Sequence, residues 1–149
     1  NAISMFHVFS YLNNDNDINA FFKNLHYNIK KNGLFVFDAW YTPSVLHLKP
    51  TVRKKNYQDH QISIERTSYP EIITKSNSVK VNFLFRIKDN VNSEIQRISE
   101  THLMRHFSIP EIQEYAYKHG FKLIDSCELV TKKLPSNETW SLLHTIQKK

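Results

Sequence analysis

Two short runs limit most of what this chain can fold into. AISMFHVFSYL at 2 to 12 and LFVFDAW at 34 to 40 carry apolar side chains at odd and even positions alike. That is the pattern of strands covered on both faces, as in a parallel sheet. The residues between them supply the crossover. Ile18, Phe21, Phe22, Leu25 and Ile29 recur at helical spacing, while Lys23, Asn24, Lys30 and Lys31 fall on the polar face. Asp15 or Asp17, in the turn-rich NNDND, is the expected helix cap, and Gly33 the expected C-cap. Residues 1–41 therefore predict a right-handed β-α-β unit with parallel strands.

The pattern then changes period. Val79, Val81, Phe83, Phe85 and Ile87 alternate with Lys80, Asn82, Arg86 and Lys88. With turn material at SYPEIITKSNS and KDNVNSE, this predicts a half-buried, three-stranded antiparallel insert within 52–107. SIPE at 108–111 reads as a capping box, with Ser108 at the N-cap and Glu111 three residues on. The helix it starts places Ile109, Ile112, Tyr115 and Ala116 on one side and stops at Gly120. FKLIDSCELV and TWSLLHTIQ follow as a closing antiparallel hairpin.

Composition narrows the class. With 149 residues, 40% hydrophobic and 23% charged, the chain suits one globular domain without low-complexity segments. A single cysteine, Cys127, excludes an internal disulfide and a cysteine-based zinc site. No secretory leader or bilayer-length apolar stretch is visible, so a cytoplasmic protein without a membrane partner is expected. The net charge of +6 comes from dispersed lysines, and no nucleic-acid module signature accompanies it. Nucleic acid is therefore not an expected partner, whereas an anionic small molecule suits the basic surface.

The order of elements resembles the C-terminal half of class I S-adenosylmethionine-dependent methyltransferases. ISMFHVFSYL resembles the fourth strand and its active-site loop, and NIKKNGLFVFDAWY the helix and fifth strand of that family. ETHLMRHFSIPEIQEYAYKHGFKLID resembles its substrate-wall strand and last helix. The nearest subgroup in likeness is the nucleotide-linked amino-sugar N-methyltransferases. The resemblance implies an α/β fold, half of a doubly wound Rossmann-like sheet, forming one partial domain over 1–149. Its parts are a β-α-β unit at 1–41, the insert at 52–107, and a helix with closing hairpin at 108–149. The cofactor implied is S-adenosylmethionine. A Gly-rich turn that would hold it is missing, since the chain has two glycines, Gly33 and Gly120, both read as helix ends. The expectation is a fragment without its cofactor-binding half, inactive alone.

Site residues follow from position. His7, at the carboxyl end of the first strand, is where ligands sit in open α/β sheets, and with Asp38 it is the expected catalytic pair. Met5, Phe6 and His7 are the cofactor-facing candidates by resemblance. Ser10, Tyr11, Trp40 and Tyr41 continue into the same crevice, and an acid beside aromatics suits an amino substrate. Glu100, His102 and His106 share one face of a strand and are expected on the substrate wall. Two histidines and a carboxylate match a metal triad only in residue type, and no metal is expected. Arg105 faces the other way, toward a phosphate or a surface carboxylate.

Methyl transfer needs mainly position and exclusion of water, with a base only when the nucleophile arrives protonated. The predicted function is methyl transfer to a small-molecule acceptor. The alternative is a noncatalytic binding or scaffolding module that kept the fold. A base-modifying nucleic-acid methyltransferase is disfavoured by the absence of an NPPY-type motif. A half-sheet beginning with a central strand leaves an apolar edge, so a homodimer is an expected consequence.

Overall fold

One strand, Leu34–Tyr41, organises the sheet, and the others are placed by how they pair with it. In the computed structural model, which describes residues 1–149, the chain runs β1 (Ala2–Ser4), α1 (Asp15–Asn28), β2 (Leu34–Tyr41) and α2 (Thr42–Leu48). It continues through β3 (Arg53–Gln58), β4 (Ile62–Ile73), β5 (Ser78–Asp89) and β6 (Ile95–Phe107). It closes with α3 (Ile109–Lys118), β7 (Phe121–Glu128) and β8 (Ser141–Lys148). The eight strands form one sheet in the order β3-β4-β5-β6-β2-β8-β7, with β1 also paired to β2. As expected, β1 and β2 are parallel, with Ala2 opposite Phe35 and Ser4 opposite Phe37. The hairpin β7-β8 is antiparallel and completes one edge.

Alternation along β2 separates the two sides of the sheet. Phe35, Phe37 and Ala39 point to the helix-covered side, where they join Phe9, Ile18, Phe22, Phe107, Ile112 and Phe121 in the main core. α1 and α3 each place an apolar stripe there, Ile18 and Phe22 from the first, Ile112 and Ala116 from the second. Asp38 and Trp40 point the opposite way. That second side has a smaller core of Val45, Val79 and Val81, with Trp40 and Trp140 packed against it.

Several sequence expectations need correction. The first strand stops at Ser4 and does not run to Tyr11: Phe6 and His7 take φ of 66° and 60°, and Val8–Tyr11 is a 3-10 turn. Left-handed backbone cannot continue a strand, and the backbone N–H of His7 is drawn instead to Asp38 Oδ1 at 3.0 Å. The cap of α1 is Asn14, whose side chain accepts from the Asp17 amide, not Asp15 or Asp17. Its C-cap is Ile29, and Gly33 lies beyond it in a tight turn. A Cβ on Gly33 would come within 2.6 Å of Ile29 Cγ2 and 2.8 Å of the Lys30 carbonyl, so close approach requires this glycine. Gly120 does follow the end of α3, with φ of 79°. The capping box at Ser108 and Glu111 is present.

The insert has four antiparallel strands, not three. The extra one, RKKNYQ at 53–58, is an exposed edge strand and so lacks the apolar alternation that reveals the others. α2, with Pro43 in its first turn, also carries no strong periodic signal.

Candidate active site

The site lies where one edge of β2 changes partner. β8 occupies the other edge from Leu34 to Trp40, so β1 and β6 share this one, β1 opposite Phe35 to Phe37 and β6 opposite Trp40 and Tyr41. Side chains from the loop after β1 bridge the interval. Ser10, fully buried, accepts from the Trp40 amide through Oγ at 3.2 Å. Asp38, also fully buried, takes the His7 amide on Oδ1, and its Oδ2 lies 3.3 Å from Nε2 of the same histidine. That nitrogen is 2.6 Å from Ser141 Oγ on β8. Asp38 therefore holds the backbone of His7, and Ser141 its ring, in a conformation that a non-glycine residue seldom adopts.

The opposite wall comes from the ribbon β3 to β6. In the register of β4, β5 and β6, Arg66 stands opposite Phe85, Phe83 opposite Glu100, and Val81 opposite His102, so these side chains share one face. Together with Phe6, His7, Tyr11, Trp40 and Met104 they line a cavity of 420 Å³. The Tyr11 hydroxyl is 2.5 Å from His102 Nδ1, and Nε2 of that histidine is 3.3 Å from Glu100 Oε2. A second cavity of 430 Å³ adjoins the first, with Trp40, Arg66, Val81 and Phe83 common to both. It adds Trp140, Arg53 and Ser68. Trp40 and Trp140 meet edge to face at 5.4 Å. Arg66 lies over Phe83, 5.3 Å from the ring centroid, forms no ion pair, and its buried Nε has no hydrogen-bond partner.

Burial lowers the pKa of His7, and the Asp38 carboxylate only partly offsets this. The ring is held neutral at ordinary pH, able to accept a proton or a hydrogen bond. His106 is pushed to about 4 by burial, helped by the Arg105 charge beside it.

The sequence-derived candidates thus divide. His7, Phe6, Tyr11, Trp40 and His102 meet at one cavity. Asp38 lies behind His7 and reaches the cavity only through it. Ser10 is buried against β2. His106 is buried at the β2–β6 junction, its Nδ1 2.9 Å from Thr42 Oγ1, so it does not converge with Glu100 and His102. Arg105 pairs with Asp15 at 2.9 Å and Glu111 at 2.6 Å, away from the cavity. Met5 and Tyr41 flank the site without lining it. Arg66, Phe83, Ser141 and Trp140 were not among the sequence-derived site candidates. Only the strand register could reveal Arg66 and Phe83, because parity assigns a residue to a face only once its partners are known.

Comparison with known proteins places the fold. No family model matches the chain, and no curated protein does. Among solved structures, an S-adenosylmethionine-dependent methyltransferase from Clostridium acetobutylicum superposes with a TM-score of 0.77 at 18% identity, over 99% of this chain and 57% of that one. Streptomyces venezuelae DesVI gives 0.78 at 16% identity, over 99% and 58%. CalS10 of Micromonospora echinaspora, an amino pentose methyltransferase solved with S-adenosylmethionine bound, gives 0.75 at 13% identity, over 99% and 58%. The chain shares their fold and spans less than three fifths of their length.

Proposed function

We propose that this chain forms the acceptor side of an S-adenosylmethionine-dependent methyltransferase, whose substrate is a small nucleotide-linked amino sugar. The observation that carries the reading is the cavity at the end of β1, where His7, Tyr11, Trp40, Glu100 and His102 converge on a fold shared with such enzymes. Open α/β sheets bind ligands at this crevice, beyond the carboxyl ends of their strands.

The cofactor, when bound, supplies a methyl group already activated on a sulfonium. The residues present fit one edge of it: Phe6, 89% exposed, offers an aromatic face beside His7. Phe6, His7 and neighbouring Met5 would border that edge. No glycine lies at this loop, so the rest of the cofactor's recognition requires a Gly-rich turn that these residues do not supply. The second reading is a noncatalytic binding module of the same fold.

The chain's own residues orient the acceptor. Asp38 fixes His7, and His7 accepts a hydrogen bond from the amine. Trp40 and Trp140 provide flat apolar walls, while Arg66, without a carboxylate partner, suits a phosphate of the linked nucleotide, with Arg53 near it. Ser10, Tyr41 and His106 support the walls, while Arg105 joins β6 to Asp15 and Glu111 away from them.

The chain's two tryptophans both border the adjoining cavity, and Trp40 borders the two, so their fluorescence reports occupancy. A nucleoside-diphosphate amino sugar is expected to quench it, and Arg66→Ala to weaken that binding about tenfold, the loss of a charged hydrogen bond. Methyl transfer from labelled S-adenosylmethionine then separates enzyme from binding module. Binding without transfer, in a protein that includes a Gly-rich turn, supports the module. Neither binding nor transfer rejects both.

A further inference from the structure

The cavity holds a chain of three polar side chains that the preceding reading leaves without a task. Tyr11 Oη lies 2.5 Å from His102 Nδ1, and His102 Nε2 lies 3.3 Å from Glu100 Oε2. Packing fixes the imidazole between them: the Phe83 ring meets it edge-on at 5.1 Å and the Tyr11 ring at 5.7 Å. All three residues line the cavity with His7 and Trp40.

Hydrogen-bond chemistry gives this chain a direction. An ionised carboxylate only accepts, so the Nε2 facing Glu100 must carry the ring proton. In a neutral imidazole Nδ1 is then the acceptor, and the Tyr11 hydroxyl must donate to it. The remaining lone pairs of Tyr11 Oη are left for the cavity. His7 is bound differently: its Nε2 is engaged inside the sheet, 2.6 Å from Ser141 Oγ and 3.3 Å from Asp38 Oδ2.

We propose that Tyr11, His102 and Glu100 form the proton exit of the acceptor site, Tyr11 touching the amine and the other two acting through it. The proposal rests on the methyl-transfer reading, in which an amine that arrives as ammonium must lose a proton to become a nucleophile. In the step, one ammonium N–H bond breaks and its electron pair stays on nitrogen. That proton bonds to Tyr11 Oη as the tyrosine's own proton passes to His102 Nδ1, so no tyrosinate forms. The imidazolium produced faces Glu100, whose side chain is 52% exposed and so hands the proton on to water. Tyr11 is the catalytic residue in this scheme, and His102 and Glu100 are positioning and relay groups.

Two measurements test it. Ring 15N shifts of labelled protein read the tautomer of His102 without donor or acceptor present. The Nε2–H form is expected, with mixing of both forms in Glu100→Gln, because a carboxamide can donate as well as accept. A parent protein in the Nδ1–H form overturns the proposal, since that nitrogen has no room for another proton. The second is turnover with a nucleotide-linked amino sugar. Tyr11→Phe and His102→Gln are expected to lower kcat about 100-fold with little change in KM, in line with general acid–base contributions. Free imidazole is expected to restore His102→Ala at least tenfold. Parent-like kcat in Tyr11→Phe, which keeps the ring and its packing, overturns the relay while leaving the methyltransferase reading intact. No methyl transfer by the parent, in a protein that includes a Gly-rich turn, overturns that reading and the relay's catalytic task together.

Discussion

The helix-covered side of the sheet and the face of the β3-β6 ribbon are built on opposite terms. The first buries twelve apolar residues in one cluster, six of them phenylalanines from the 3-10 turn, α1, β2, β6 and β7. The second has a cluster of only three, Val79 and Val81 from β5 and Val45 from α2, and leaves Arg66, Glu100 and His102 facing a cavity. The ribbon's order comes from strand pairing, with twelve paired positions between β4 and β5 and eleven between β5 and β6. A wall held by its backbone is free to carry reactive side chains, because few of them are needed for packing. Stability and chemistry are thus divided between the two sides of one sheet.

The sharpest way to break this comparison is a pair of truncations. Phe37→Ala empties a fully buried position packed against Phe9 and Phe35, and it is expected to lower unfolding free energy by about 3–5 kcal/mol in urea titrations. A similar loss from any single ribbon residue on the cavity face would abolish the distinction.

Acid comes second in size. His144, packed against Phe37 on the helix-covered side, and His106 at the β2–β6 junction are both pushed from 6.5 to about 4 by burial. Between those values the unfolded chain binds protons that the folded chain excludes, so stability falls as pH drops from 6.5 toward 4. The expected loss is on the order of 1–3 kcal/mol per histidine, read as a falling urea midpoint. His144→Gln should flatten the slope; an unchanged slope would show that the ring is charged in the fold.

Phe83→Ala gives the smallest stability change, about 1 kcal/mol, since the ring is only half-buried. It should nevertheless weaken acceptor binding about tenfold, because the ring supports both Arg66 and His102. A large stability loss without a binding effect would reverse the assignment of roles.

Much of this architecture was open to reading from residues alone. Doubly apolar runs at 2–12 and 34–40, joined by a helical stripe, placed β1 beside β2 in parallel, and the Ser108 and Glu111 box marked the start of α3. These features depend on neighbours close in the chain, where periodicity and capping act. The ends of elements were less visible. His7 leaves the strand because Asp38, 31 residues away, takes its amide, and the cap of α1 fell to Asn14 through local geometry that several polar residues could satisfy equally.

The candidate site shows the same limit more strongly. His7, Tyr11, Trp40 and His102 were identifiable from strand ends and parity. Arg105 and His106 share that stretch of sequence with His102, yet one is neutralised by Asp15 and Glu111 and the other is buried beneath Thr42. Sequence by itself determined the parallel β-α-β unit, the start of α3 and the closing hairpin, because hydrophobic period and capping are local codes. Tertiary structure alone decided which polar groups meet. The Tyr11–His102 contact joins residues 91 apart, and the unpaired Arg66 shares its face with Phe83 only through the β4-β5 register. Hydrogen bonds and ion pairs act over a few ångströms of space, and no spacing along a chain specifies that distance until the backbone has closed it.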